Sequence, residues 1–120
     1  GTLMFFCDYH GPTDGGKQVE RLAIFGMQES RAGAELKVMA AVETKMPGYF
    51  TKGVTDSQCD EEDWGTDTLP MSAEDLSFAL GKEGATRKKL ARASGCILEY
   101  VGSFAYMVGS KAERQRARDY

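Results

Sequence analysis

The stretch that most constrains this chain is Gly81-Lys82-Glu83-Gly84, set between the helix-like segments Leu76 to Leu80 and Ala85 to Ser94. Glycine is required where a backbone turns sharply or lies against a ligand with no side chain between. A helix N-terminus offers free N–H groups and the positive end of the helix dipole, both of which attract phosphate. A basic run, Arg87-Lys88-Lys89 and then Arg92, follows directly. The loop therefore reads as a backbone clamp for a phosphodiester.

A net charge of −3 argues against a nucleic-acid ligand only if the charge is evenly spread, and it is not. Residues 1–80 carry six Lys and Arg against fourteen Asp and Glu, whereas residues 81–120 carry nine against four. The basic excess begins at the glycine loop itself, and such local asymmetry outweighs the total. With 42% hydrophobic and 28% charged residues in 120, the composition is that of a globular protein of one ordinary domain or two very small ones. No apolar run is long enough to span a membrane, and Gly1-Thr2-Leu3 lacks the basic flank and apolar core of a signal peptide. The chain starts almost inside a strand and ends at Tyr120 inside a helix-like segment, so it reads as a piece of something longer. Three irregularly spaced cysteines argue against a disulfide framework and for a reducing, intracellular setting, nuclear or cytoplasmic.

In chain order, Leu3 to Tyr9 predicts a strand and Glu20 to Gly26 a second, paired as a hairpin across a turn at His10 to Gly16. Ser30 to Lys45 predicts an amphipathic helix capped by Ser30, with Ala34, Leu36, Met39, Ala40 and Val42 on its buried side. Residues 47–65 read as an acidic linker in which Asp60-Glu61-Glu62-Asp63 is a solvated loop; the sharper alternative is a mimic of nucleic acid lying against the basic half. Trp64 reads as a packing anchor. A short strand over 66–71 precedes a capping box at Ser72-Ala73-Glu74-Asp75, which starts a helix with Leu76, Ala79 and Leu80 buried. The next helix turns Leu90 and Ala91 inward and stops at Gly95. Strands follow over 96–101 and 104–109 around the turn Gly102-Ser103, then a helix capped by Ser110. Lys111, Arg114, Arg116 and Arg118 on that helix read as a solvated face, and Phe104 and Tyr106 as core. Leu22 to Arg31 and Ala105 to Arg114 share a pattern of apolar strand, glycine, helix start and arginine, so residues 1–45 look like a second copy of the strand–strand–helix end.

The order strand, helix, Gly-x-x-Gly, helix, strand, turn, strand, helix over residues 66–120 resembles the K-homology (KH) domain of the eukaryotic type. It does so with Leu80-Gly81-Lys82-Glu83-Gly84, Lys88-Lys89-Leu90 and Ser94-Gly95-Cys96-Ile97 at the family's positions. The resemblance implies an α+β fold: a type I βααββα module whose three-stranded antiparallel sheet is packed by three helices, here preceded by a ββα unit. The domains are then 1–46, a partial or degenerate KH-like copy; 47–65, the linker; and 66–120, the KH domain. It also implies single-stranded RNA, or DNA, held in a narrow groove of about four nucleotides. Gly81, Lys82, Glu83 and Gly84 would hold the backbone phosphates, while Leu80, Ala85 and Lys88 line the helical wall, flanked by Arg87 and Lys89. Ile97, Leu98 and Glu99 lie on the strand that forms the wall reading base edges, and the sequence leaves open which of them face the groove.

Two positions depart from the family. Glu83 puts a carboxylate where a basic or small residue is usual, which lowers affinity or turns Glu83 toward Arg87. Arg87 stands where the family has an apolar core residue, so it either faces the ligand or covers the core with its stem. The first 45 residues contain no Gly-x-x-Gly and supply no groove of their own; Gly15-Gly16-Lys17 reads as a turn. Cys7, His10, Cys59 and Cys96 make a weak zinc set, and buried structural cysteines are the better reading, so no metal and no cofactor is expected. No nucleophile–base arrangement points to an enzyme. The expected function is non-catalytic binding of single-stranded nucleic acid, RNA ahead of DNA, with neighbouring modules adding avidity and no membrane partner. The alternative is a KH-like protein-interaction or self-association module with weak or lost RNA binding, which Glu83, Arg87 and a pI near 5.2 favour.

Overall fold

Among the described residues, aromatic and β-branched runs between turn residues form five strands, and stretches rich in Ala, Leu, Lys and Glu form four α-helices. The computed structural model describes the backbone of residues 2–9 and 19–119 and the side chains of 2–6 and 21–119. His10, the turn over 10–16 with Gly15-Gly16-Lys17, and the Cys7 side chain lie outside the described residues. The elements are β1 (Leu3–Tyr9), β2 (Val19–Phe25), α1 (Gln28–Lys45), β3 (Gly65–Pro70), α2 (Ala73–Leu80), α3 (Ala85–Ser94), β4 (Ile97–Val101), β5 (Phe104–Gly109) and α4 (Lys111–Asp119). The architecture is α+β with two antiparallel sheets. The chain divides into two compact units, Gly1–Glu35 and Leu36–Tyr120, and the division falls inside α1.

In the first unit β1 and β2 pair antiparallel, with Leu3 opposite Phe25 and Phe6 opposite Leu22. Phe5 stacks on Phe25 with ring centroids 5.5 Å apart. Helix α1 begins at Gln28, two residues before the expected cap, so Ser30 lies inside its first turn. The start of α1 stands two residues beyond Gly26, as the start of α4 stands two beyond Gly109.

In the second unit the sheet order is β3-β5-β4, which makes β5 central and β4 an edge strand. Cys96, Leu98, Ala105 and Met107 form the core beneath the helices, joined by Leu69, Met71, Leu90, Ala91, Tyr100 and Ala117. Val101, Tyr106 and Val108 are buried as well, so β5 is covered on both faces. This explains why its sequence, Phe104 to Gly109, is continuously apolar rather than alternating. Ser72 caps α2 by accepting from Asp75 N–H at 3.1 Å. At α4 the Ser110 hydroxyl accepts from Glu113 N–H while Glu113 Oε1 accepts from Ser110 N–H, a reciprocal capping box.

Helix α4 keeps Lys111 and Arg116 exposed, as expected, but withdraws Arg114 and Arg118 from solvent. Arg114 is almost wholly buried: its guanidinium bonds Asp67 Oδ1 at 2.6 Å, the Cys59 carbonyl at 2.8 Å and the Glu61 carbonyl. Arg118 lies 3.6 Å from the other Asp67 oxygen, and Arg116 Nε donates to the Ser94 carbonyl. A buried arginine is tolerated where carboxylate and carbonyl oxygens replace its water, and Asp67 on β3 completes the set. The acidic stretch is held by its backbone. Ser57 pairs with Thr68, Cys59 N–H donates to Asp67, and Lys111 N–H donates to the Glu62 carbonyl. Its carboxylates at 60–63 stay exposed beside α4. No helix among the described residues is long and apolar enough to cross a membrane.

Candidate nucleic-acid interface

The loop between α2 and α3 is a tight left-handed corner. Gly81 closes α2 by donating to the Ser77 carbonyl and adopts φ 70°, ψ −178°, while Gly84 adopts φ 76° directly before α3. A side chain at Gly81 is excluded twice over. The backbone conformation is one only glycine adopts at low cost, and a Cβ would fall 2.2 Å from Thr86 Oγ1 and 2.9 Å from Thr86 N. At Gly84 only the first constraint applies, because the nearest atom, Arg87 Nε, would be 4.0 Å away. Lys82 to Gly84 forms a single 3₁₀ turn within which Glu83 has φ 55°. Glu83 is the one described non-glycine residue with positive φ, a conformation costing roughly 1–2 kcal/mol.

The expected basic residues of this region are accessible. Lys82, Lys88 and Lys89 are exposed and make no ion pair with any described residue. Ala85 is exposed at the first turn of α3, where its N–H donates to Lys82 O within the loop. Leu80, expected in the core, is 41% exposed beside the loop, and Phe78 projects 83% exposed on the same helix.

The edge strand β4 is tied to the helices at two points. Arg87 Nη1 donates to the Leu98 carbonyl at 2.9 Å and lies 3.5 Å from Glu99 Oε2. Tyr100 Oη donates to the Ala79 carbonyl at 3.0 Å, and burial raises its phenol pKa. Arg87 is therefore paired with Glu99, not Glu83, and its guanidinium spans from α3 to the strand. The sequence left open which of Ile97, Leu98 and Glu99 face the groove; the Leu98 side chain is buried in the core, in phase with Cys96 and Tyr100. Its carbonyl, not its side chain, meets Arg87. Ile97 is half-buried.

Between α2 and β4 lies a cleft of about 240 Å³ lined by Leu76, Leu80, Glu99, Tyr100 and Gly102, with Ala40, Glu43 and Thr44 of α1 on its third side. Of the residues expected at the site, the cleft brings together Leu80 and Glu99, and Arg87 joins it through Glu99. The contribution of α1 has no signal in the glycine-loop pattern, since it comes from more than thirty residues upstream. Glu43 is held there as the cap of the following turn. Its carboxylate accepts from Gly48 N–H at 2.5 Å, Phe50 N–H at 2.9 Å and Thr51 Oγ1 at 2.9 Å. The Gly48 bond, with those from Phe50 and Thr51, lowers its pKa against the effect of burial. Cys96 is buried in the core, its thiol donating to the Val108 carbonyl at 3.2 Å. Among the described residues no cluster of His, Cys, Asp and Glu is placed to hold a metal ion.

No protein-family model and no curated protein sequence matches this chain.

Proposed function

We propose that this chain binds single-stranded nucleic acid, RNA ahead of DNA, through the Gly81–Gly84 loop and the adjoining cleft, as a KH-like module without catalysis. The observation that carries the reading is the loop itself. It is a glycine corner at the N-terminus of α3, flanked by the exposed cations Lys82, Lys88 and Lys89, which make no ion pair with any described residue, and Gly81 has no room for a side chain. Backbone N–H groups, a helix dipole and exposed ammonium groups together suit a phosphodiester. The β-α-loop-α-β-β-α order and the β3-β5-β4 sheet support a type I KH topology, in which β4 borders the groove. Binding is expected to be modest for one module, because Glu83 sets a carboxylate among the phosphate contacts.

The test is affinity for a short labelled oligonucleotide as salt is raised. Each lysine–phosphate contact to a single strand contributes a slope of about −0.7 in log affinity against log salt. The Lys82→Asp, Lys88→Asp variant is expected to lose most of the binding and to flatten the slope. Unchanged affinity would remove the loop from the site.

A protein-interaction module is the second reading, favoured by the Arg87–Leu98 and Tyr100–Ala79 bonds that already join the two sides of the cleft. It predicts a concentration-dependent mass with no oligonucleotide binding.

A further inference from the structure

We infer that Phe78 is a base-stacking platform that extends the site past the cleft, an inference that rests on the nucleic-acid reading above. At 83% exposure Phe78 is the most exposed of the large apolar side chains described. Its own helix turns it outward. At about 3.6 residues per turn, Phe78 lies roughly 200° around α2 from both Leu76 and Leu80, the two residues of that helix that line the cleft. Glu74, Asp75 and Ser77 are exposed as well, so this side of α2 faces solvent. Phe78 takes no part in the core, and phenylalanine is a poorer helix former than Ala, Leu or Lys at an exposed position. Neither packing nor helix propensity accounts for an aromatic ring there.

Its place beside the loop does. Phe78 stands three residues before Gly81, within one helical turn of the glycine corner and roughly 5 Å from it along the helix axis. The exposed Lys82 follows directly on the other side of Gly81. The loop ends α2, with the cleft on the Leu76 and Leu80 side of that helix and Phe78 on the opposite side. A strand whose phosphates are held at the loop therefore carries one neighbouring nucleotide toward the cleft and the next toward Phe78. Cations that take the backbone and an aromatic ring that takes a base face are the combination that holds single strands. A stacked base covers the ring without needing a hydrogen bond, and every base has a π-face. The contact thus adds affinity and not sequence preference.

The experiment measures the affinity of the whole 120-residue chain for a short labelled single strand and, at low salt, for the same sugar–phosphate strand with every base removed. Phe78→Ala and Phe78→Leu are each expected to weaken the intact strand about tenfold, within the range of one stacked base. Phe78→Tyr and Phe78→Trp, which keep an aromatic face, are expected to stay close to native affinity. The slope of log affinity against log salt is expected to be the same in Phe78→Ala as in the native chain, because stacking releases no counterions. The abasic strand is expected to bind the native chain and Phe78→Ala equally. Native affinity in Phe78→Ala or in Phe78→Leu, a flattened salt slope, or an equal loss for the abasic strand overturns the inference and leaves nucleic-acid binding standing. Failure of every oligonucleotide to bind overturns both.

Discussion

Arg114 Nη1 donates to Asp67 Oδ1 at 2.6 Å, and both side chains are almost completely withdrawn from solvent. The pair joins α4 to β3 and, through the Cys59 and Glu61 carbonyls, to the acidic stretch before β3. Removing one partner leaves the other charge buried and uncompensated. Asp67→Ala is expected to lower unfolding free energy by about 3–5 kcal/mol in urea titrations. Lys111→Ala, which breaks the exposed 3.5 Å contact to Glu62, is expected to change it by less than about 1 kcal/mol. Equal effects would mean that Arg114 is not held as described.

The two loop glycines are expected to differ. At Gly81 an alanine meets both an unfavourable backbone conformation and Thr86, whereas at Gly84 it meets the conformation alone. Gly84→Ala is expected to cost about 1–2 kcal/mol and Gly81→Ala more, by thermal unfolding. Combining Gly81→Ala with Thr86→Ala or Thr86→Gly would recover part of the difference. No recovery would place the obstacle elsewhere.

Cys96 and Cys59 are expected to react at different rates with a thiol reagent. Burial first, and then the nearby Glu113 carboxylate, push the Cys96 thiol up to about 12. Cys59 is only half-buried. Native-state alkylation followed by mass mapping is expected to label Cys59 well before Cys96, because the thiolate is the reactive form. Early labelling of Cys96 would contradict its place in the core.

Glu43 predicts an acid-sensitive contribution. Its folded pKa lies below its ordinary value of 4.5, so its carboxylate stabilises the fold at neutral pH and ceases to do so as pH falls through the lowered folded value. The stability gap between the native chain and Glu43→Ala is therefore expected to be widest near neutrality and to shrink below pH 4.5. A gap independent of pH would assign the effect to packing alone.

Much of the second unit was legible in the sequence because its signals are local. The Ser72 and Ser110 caps, the glycine corner, the Gly95 stop and the turn at Gly102 each act within a few residues, and the elements fall between them. What sequence missed is set by long-range pairing. Arg114 looked like one of four solvated cations, since its partner Asp67 stands 47 residues earlier. The facing of Ile97, Leu98 and Glu99 was left open by the sequence, and the phase of β4 turns Leu98 inward with Cys96. Of the two outcomes open for Glu83, lower affinity or a turn toward Arg87, the second does not occur, because Arg87 finds Glu99 across the fold. Leu80 was expected to be buried, and instead lies open at the rim of the cleft that α1 helps to form. For the first unit, strand pairing was readable from apolar runs. The open apolar surface was not, as Leu3, Met4, Phe5, Phe6 and Phe25 remain between 45% and 69% exposed.

The most direct measurement of the central claim is backbone amide shift mapping of the chain during titration with a short single-stranded oligonucleotide. The expected result is that the largest changes fall on Gly81, Lys82, Glu83, Gly84 and Ala85 and extend to Leu98 and Glu99. Changes confined to other surfaces, such as α4 or the β1–β2 pair, or none at all at saturating ligand, would contradict it.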